Sequence, residues 1–272
     1  MALVAAAPVM AGSTEDNRSA ATTEAQALLA AAVLPADATP LAGKPDGDGE
    51  VLANPGTIGS NPNFALSTAF YRSNLSVPDV LAFFDAHPPA DSKLFISGGG
   101  ETRDGHRAET RVYQRPRIGG SLAVRWLVVA ATKLDDGSTG IRLDGYVVWL
   151  EARPAGEVIP ASARHLTITA RGRRTIRVTD AARVQRIAAM LNASDIGQPD
   201  VRMCPLQRPT TPHPRLTFRG RRNSKPLAIV QVTPDGCPTA TVQIGGRHFP
   251  ALDLQFDPGP QLLKTLKKLG AY

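Results

Sequence analysis

SLAVRWLVVAATKLDDGSTGIRLDGYVVWL, residues 121–150, decides the fold. Two apolar runs flank Asp135-Asp136-Gly137-Ser138. An Asp-Gly turn between apolar runs is a strong hairpin signal, because glycine supplies the positive φ that a tight β turn demands. The segment predicts two long antiparallel strands, 121–134 and 140–150. Residues 108–114 alternate polar and apolar side chains and add a third strand before them. Upstream, Ser76-Val77-Pro78-Asp79 is a helix start, with serine at the N-cap, proline in the first turn and Asp three residues on. Val80, Leu81, Phe83 and Phe84 follow, and His87-Pro88-Pro89 stops the helix. Gly98-Gly99-Gly100 reads as a turn between that helix and the strands. A first domain is therefore expected over 64–155, one helix against an antiparallel sheet.

A second domain is expected beyond residues 152–160 (ARPAGEVIP), where two prolines and a glycine mark a boundary. Short strands 165–169 and 175–178 surround Arg171-Gly172-Arg173-Arg174. Asp180 caps a helix reaching Asn192, with Val184, Ile187, Ala188 and Leu191 at i, i+3, i+4 and i+7 on one apolar stripe. Strands follow at 215–219, 227–233 and 239–244. Gly245-Gly246 turns into 247–251, and a last helix over 260–269 carries Leu262, Leu263, Leu266 and Leu269. The expected fold class is α+β in two domains, each a mainly antiparallel sheet with one or two packed helices.

The chain has 272 residues, 42% of them hydrophobic, 5% aromatic and 20% charged. That is enough apolar material for two modest cores, and no run is long enough to span a bilayer as a helix. The formal charge of +7 conceals a split. Up to Ile159, 13 Lys+Arg face 18 Asp+Glu, a balance of −5; from Pro160 on, 18 face 6, a balance of +12. The second domain, 160–272, is the basic one. Of the 31 basic residues only seven are lysine. Arginine and alanine codons are GC-rich, so part of the arginine excess reflects genome composition rather than binding.

Met1 to Ala11 (MALVAAAPVMA) is uncharged and apolar, and Val9 with Ala11 has the small-residue spacing of a signal-peptidase site. Cleavage is expected after Ala11. No Lys or Arg precedes Arg18, so the basic start of a full signal peptide is missing and the initiator is expected further upstream. An ordinary Ala-rich tail is the other reading. Residues 1–23 are expected to be signal remnant and disordered, and 24–63 a short helix followed by a Pro/Gly-rich extended segment or linker.

The chemistry of a catalytic site is hard to find. His87, His106, His165, His213 and His248 lie far apart and none neighbours a cysteine, so the sequence supplies no metal ligand set and no cofactor motif. Neither Ile96-Ser97-Gly98 nor Ile58-Gly59-Ser60 is a G-x-S-x-G elbow. No phosphate loop is present, since Gly98-Gly99-Gly100 lacks the following Lys-Ser/Thr and Gly43-Lys44-Pro45 lacks the glycines before it. Asp135-Asp136 is turn chemistry. No catalytic residue is singled out.

Cys204 and Cys237 are the only cysteines, each followed by proline. In an exported protein such an even pair reads as one structural disulfide, worth roughly 3–4 kcal/mol on the chain-entropy model. Two buried thiols are the alternative. Val147-Val148-Trp149-Leu150 with Arg153-Pro154 and Ile159-Pro160, Val178-Thr179-Asp180 heading a helix, Cys204-Pro205, Gly236-Cys237 and Gly245-Gly246 together resemble a group of actinobacterial exported proteins of unknown function. The resemblance covers most of the chain from about Glu24 onward. It implies export and a cysteine pair, and it carries no catalytic residues.

Arg171, Arg173 and Arg174, with Arg219, Arg221 and Arg222, are the anion-binding candidates. Both sets fall in expected turns that would converge on one edge of the second domain. Arginine forks match phosphate and carboxylate geometry, which suits anionic wall polymers or lipid head groups. Solvated turns are the plain alternative. The function read from the sequence is a non-catalytic binding or structural role of a secreted, cell-envelope protein. The alternatives are a cytosolic nucleic-acid-binding protein, which has no aromatic residues between its arginines for base stacking, and a hydrolase with a site assembled from distant His and Asp residues. A thiol titration of the denatured, unreduced protein checks the compartment: one bridge predicts no free thiol, and two titrating thiols would remove the disulfide.

Overall fold

The computed structural model describes residues 13–45, 51–53, 61–101, 107–154, 156–197 and 211–272. The expected cleavage point after Ala11, His106 and Cys204 lie outside the described residues. The chain forms two compact units that divide between Glu151 and Ala152. Among the described residues there are four helices and thirteen strands, all paired antiparallel, so the class is α+β with one sheet per unit.

The N-terminal unit contains α1 (Thr14–Ala30), β1 (Thr39–Leu41), β2 (Phe64–Ser73), α2 (Val77–Ala86), β3 (Lys93–Glu101), β4 (Arg107–Gln114), β5 (Leu122–Lys133) and β6 (Thr139–Trp149). The sheet order is β1-β2-β6-β5-β4-β3. The 121–150 hairpin is its centre, in register from Lys133 opposite Thr139 to Val124 opposite Val148, with a bulge before Leu122 meets Trp149. Its turn is closed by Leu134 N–H donating to Ser138 O at 2.8 Å, with Gly137 at φ 84°. Helix α2 carries the chain from β2 across the sheet to β3 on the far edge. Ser76 Oγ accepts from Asp79 N–H at its start.

One sheet face is covered by α1 and α2. Val80, Leu81 and Phe84 of α2 and Ala21, Ala25 and Leu28 of α1 pack on Tyr113, Leu127, Val129, Ala131, Ile141, Leu143 and Val147. The expected disorder of residues 13–23 is corrected here, because they are the first turns of α1. Its buried stripe is Asn17, Ala21, Ala25 and Leu28, which is too small and too polar to register as an apolar face. Other forces hold it. Ser13 and Asp16 form a capping box. Asn17 Nδ2 donates to Gly120 O at 3.0 Å and to Leu150 O at 2.8 Å. Glu24 Oε1 accepts from Arg115 and Arg125 at 3.1 and 2.8 Å. Gly145 lets the helix backbone settle on β6, since a Cβ there would overlap the Ala25 carbonyl.

The opposite face holds a buried ion pair. Arg142 Nε donates to both Asp144 oxygens at 3.0 and 2.8 Å, Thr68 Oγ1 donates to Asp144 Oδ1 at 2.6 Å, and Arg142 Nη1 donates to the Leu52 and Ala53 carbonyls. Burial pushes the Asp144 carboxyl up, while the Thr68 hydroxyl and the Arg142 guanidinium pull it back. Leu52 is fully buried among Val51, Ala108, Ala130 and Phe70. The segment expected to be an extended linker thus contributes both a core residue and β1. Beside the ion pair, rings of Phe64, Tyr146, Trp126 and Phe95 follow one another across the strands at 5.6, 5.6 and 5.7 Å. Gly98, Gly99 and Gly100, expected as a turn, are strand residues of β3, opposite Thr110, Glu109 and Ala108. A glycine run reads as a break in sequence, but hydrogen bonding to β4 is indifferent to side chains.

The C-terminal unit contains β7 (His165–Thr169), β8 (Ile176–Val178), α3 (Ala181–Asn192), β9 (Arg215–Arg219), β10 (Ala228–Thr233), β11 (Thr239–Ile244), β12 (Arg247–His248), β13 (Leu252–Asp253) and α4 (Gly259–Lys268). The order is β12-β11-β10-β9-β7-β8, with β13 also on β11. Asp180 Oδ1 accepts from Ala182 and Arg183 N–H and starts α3. Val184, Ile187, Ala188 and Leu191 of α3 and Leu262 and Leu266 of α4 bury the inner sheet face.

Gly145→Ala is expected to lower stability by about 1–3 kcal/mol through overpacking against α1. Gly119→Ala, where an added Cβ meets nothing within 4 Å, should change it by less than about 0.5 kcal/mol. Urea midpoints of the two variants measure the difference.

Candidate anion-binding face

The strands of the C-terminal sheet alternate strictly. Leu166, Ile168, Leu216, Phe218, Ala228, Val230, Val232, Ala240 and Val242 point inward. Period-two alternation sends their neighbours to the outer face. Register then lines those neighbours up. Arg177 lies opposite Thr167, Thr167 opposite Thr217, Thr217 opposite Ile229, Ile229 opposite Gln243, and Gln243 opposite His248. This row crosses six strands, about 24 Å at about 4.8 Å per strand. A second row runs Thr169, Arg215, Gln231, Thr241, and His165 faces Arg219 on the other side. Among the described residues of these rows none is acidic and one, Ile229, is aliphatic.

The rows are partly pre-set. Gln231 Nε2 donates to His213 O at 2.9 Å, and Arg219 Nε donates to Ser224 O at 3.0 Å, which steadies the β9–β10 turn. Arg177 and Arg215 are exposed. A shallow depression of about 140 Å³ is lined by Arg215, Ile229, Gln231, Thr241, Gln243 and His248. The arrangement offers hydrogen-bond donors and fixed positive charge over an open area. Such donors and charges match the geometry of an anion's oxygens.

The six arginines singled out in the sequence do not converge. Arg171, Arg173 and Arg174 follow Thr169, which pairs with Arg215; Arg221 and Arg222 follow Arg219, which pairs with His165. The two turns therefore lie at opposite ends of β7 and β9, about 16 Å apart along five residues. Antiparallel pairing of β7 with β9 forces this, because successive hairpins leave a meander at alternate ends. Arg219 alone belongs to the sheet face. Arg177 and Arg215 were missed, although Arg215-Leu216-Thr217-Phe218-Arg219 shows the alternation that puts both arginines on one face.

Three other places hold functional side chains. Arg153 Nη1 donates to Leu191 O, Asn192 O and Ser194 O at the end of α3, and its Nη2 lies 3.5 Å from Glu157 Oε1. Glu157 is fully buried, and that burial pushes its carboxyl up against the pull of Arg153. This pair fastens the start of the unit to α3. In the N-terminal unit a groove of about 250 Å³ separates α1 from β2, with Arg18 5.9 Å over the Trp149 ring. Cys237 lies in the β10–β11 turn. Among the described residues no group of three His, Cys, Asp or Glu is arranged to hold a metal, and no helix is long and apolar enough to cross a membrane.

No protein-family model, no curated protein and no solved structure matches this chain. The functional reading therefore rests on the face itself.

Glu157 supplies a pH test. Its folded value is raised, so its protonated form favours the native state. Relative to Glu157→Gln, the wild type is expected to be most stable below the unfolded carboxyl value of about 4.3 and to lose that advantage as pH rises through the raised one. Urea midpoints of both proteins between acid and neutral pH measure it, and parallel curves would show an unshifted carboxyl.

Proposed function

We propose that the protein is an exported binding module of the cell envelope, acting without catalysis, whose C-terminal unit holds an anionic polymer on its outer sheet face. The observation that carries the reading is the pair of rows that sets Arg177 and Arg215, with Arg219 beside them, among threonine and glutamine, Asp253 being confined to the next row opposite Thr239. Threonine hydroxyls and glutamine amides donate to polymer oxygens, and guanidinium forks pair with phosphate or carboxylate. The row spans about 24 Å of an open sheet face with only a shallow depression of about 140 Å³ beside it, which suits an extended chain better than a small molecule, whose sites are enclosed and concave. The +12 balance of residues 160–272 draws such a polymer in. Export is part of the same proposal, argued from the apolar first eleven residues and the Cys204–Cys237 pairing. Nucleic acid is disfavoured because the rows contain no Phe, Tyr or Trp on which a base would stack.

Retention of the purified protein on isolated envelope material tests this, with anionic vesicles and single-stranded DNA in parallel. Arg177→Glu/Arg215→Glu is expected to cut retention on the envelope at least about tenfold, while Arg171→Glu/Arg173→Glu in the exposed turn costs under about twofold, given that screened surface charges act locally. Unchanged retention in the first variant would sink the face as the site. Tighter binding to DNA than to envelope would replace the proposal with the nucleic-acid reading.

A further inference from the structure

Strand β2 is covered over only part of its length on the side away from β6. There β1 pairs with Phe70, Tyr71 and Arg72, and the chain then bends away at Ala42 and Gly43. Phe64 to Ala69 meet no described strand on that side. Trp149 N–H donates to Asn63 O at 3.1 Å, which makes these two a hydrogen-bonded pair. In an antiparallel ladder such pairs alternate, so Ala65 and Ser67 bond to β6 while Phe64, Leu66 and Thr68 turn their N–H and C=O groups outward. The pairing of Phe70 and Arg72 with β1 keeps the same phase. Phe64, Leu66 and Thr68 are all exposed, the first two at 38% and 40%. Open edges recruit strands, and proteins normally shorten, charge or cover them.

Beside this edge lies the groove of about 250 Å³, lined by Arg18, Thr22 and Ala25 of α1, Ala65 and Ser67 of β2, and Trp149. The small residues leave room for side chains that a strand added to β2 would send toward the helix. Charge stands at one end of the groove. Arg18 is exposed, its guanidinium 5.9 Å over the Trp149 ring, and no described carboxylate is ion-paired with it. Helix α1 runs in the same direction as β2, because Asn17 bonds to Leu150 O whereas Ala25 lies against Gly145, which is opposite Ser67. Arg18 therefore stands toward the Phe64 end of the open edge, and Thr22 nearer to Ser67.

We infer that this part of β2 binds an extended peptide as an added antiparallel strand, with a carboxylate at the end nearest Arg18. The backbone identifies the class of partner, since an extended peptide carries N–H and C=O groups at the spacing that Phe64, Leu66 and Thr68 present. The antiparallel direction continues the line that β1 leaves. Register then assigns the side chains. Peptide residues opposite Thr68, Leu66 and Phe64 lie beside those exposed groups, where β-branched and apolar side chains pack best. The residue opposite Ser67 points toward Thr22 and Ala25 and has to be small. The residue opposite Ala65 points toward Arg18 and is acidic. An antiparallel strand ends at the Phe64 side, so a terminal carboxylate reaches the same arginine.

Fluorescence anisotropy of the full chain with a labelled, amidated peptide Thr-Ala-Val-Glu-Val tests this, with the free acid Thr-Ala-Val-Gln-Val in parallel. Saturable binding is expected with a Kd below about 1 mM for at least one of them, and which one binds tells a side-chain carboxylate from a chain end. Arg18→Glu is expected to weaken the tighter peptide at least about fivefold and to bind amidated Thr-Ala-Val-Lys-Val instead. Leu66→Pro removes one edge donor without touching a bond to β6, a substitution that an edge strand accommodates, and should weaken binding as much. Leu66→Val keeps the N–H and should not. If Leu66→Pro disturbs the circular dichroism, the Arg18 charge reversal decides, together with slowed hydrogen exchange at the Leu66 amide on peptide addition. No saturation by either peptide at about 1 mM overturns the inference. So does binding indifferent to Arg18→Glu. Self-association that Leu66→Pro abolishes, with neither peptide bound, also overturns it and gives the edge to a second copy of the chain.

Discussion

Helix α1 reaches the N-terminal sheet only because Gly145 has no side chain. A methyl group at that point of β6 would occupy the space of the Ala25 carbonyl, and the rest of the helix is fitted to the same short distance. Ala21 and Ala25 face the sheet where larger residues would hold the helix away. Small residues bury little apolar area, so the seat is weak in hydrophobic terms, at about 25 cal/mol per Å². Polar anchors make up the difference. Asn17 ties the first turn to the loops around Gly120 and Leu150, and Glu24 gathers two arginines from either end of the β4–β5 connection. With α1 and α2 both seated, one face of the sheet is closed, and the opposite face has to be completed by other means.

The two units complete it differently. In the N-terminal unit the centre of that face is sealed by Leu52 over Arg142 and Asp144. A buried pair of this kind costs desolvation that its own attraction barely returns. It is tolerable here because Asp144 also accepts from the Thr68 hydroxyl and Arg142 Nη1 donates to two backbone carbonyls. In the C-terminal unit the outer face is left polar, and its two arginine-bearing rows contain no acid; Asp253 stands in the next row, opposite Thr239. A structural surface has no need to exclude carboxylates, since opposite charges across strands stabilise a sheet. Their absence from the rows that carry Arg177 and Arg215 is what makes that part of the face a candidate binding surface.

Much of the fold was legible in the sequence, and for identifiable reasons. The Asp136-Gly137 turn, the Ser76 and Asp180 caps and the stripe from Val184 to Leu191 each combine a local backbone signal with apolar periodicity. The first turns of α1 lack the second of these, because the helix is held by Asn17 and glycine–alanine contact rather than by an apolar face. The glycines of β3 lack the first, because a strand made of Gly98, Gly99 and Gly100 is visible only through its partner β4. The site was legible in charge and not in place. Clustered arginines in turns stand out in a linear reading, yet turns of a meander fall at alternate ends of the sheet. Arg177 and Arg215 stand alone in the sequence and acquire neighbours only through register.

Strength is the remaining physical question for such a face. Exposed arginines interact through water, and at physiological ionic strength their field decays within about 8 Å. A face of this kind therefore holds any one segment of a polymer weakly, however well its donors are spaced. A long anionic chain presents many equivalent segments to it, so a segment that leaves is replaced by its neighbour at a high effective concentration. Retention should then grow with polymer length while the affinity for a short oligomer stays fixed, which separates avidity from intrinsic affinity.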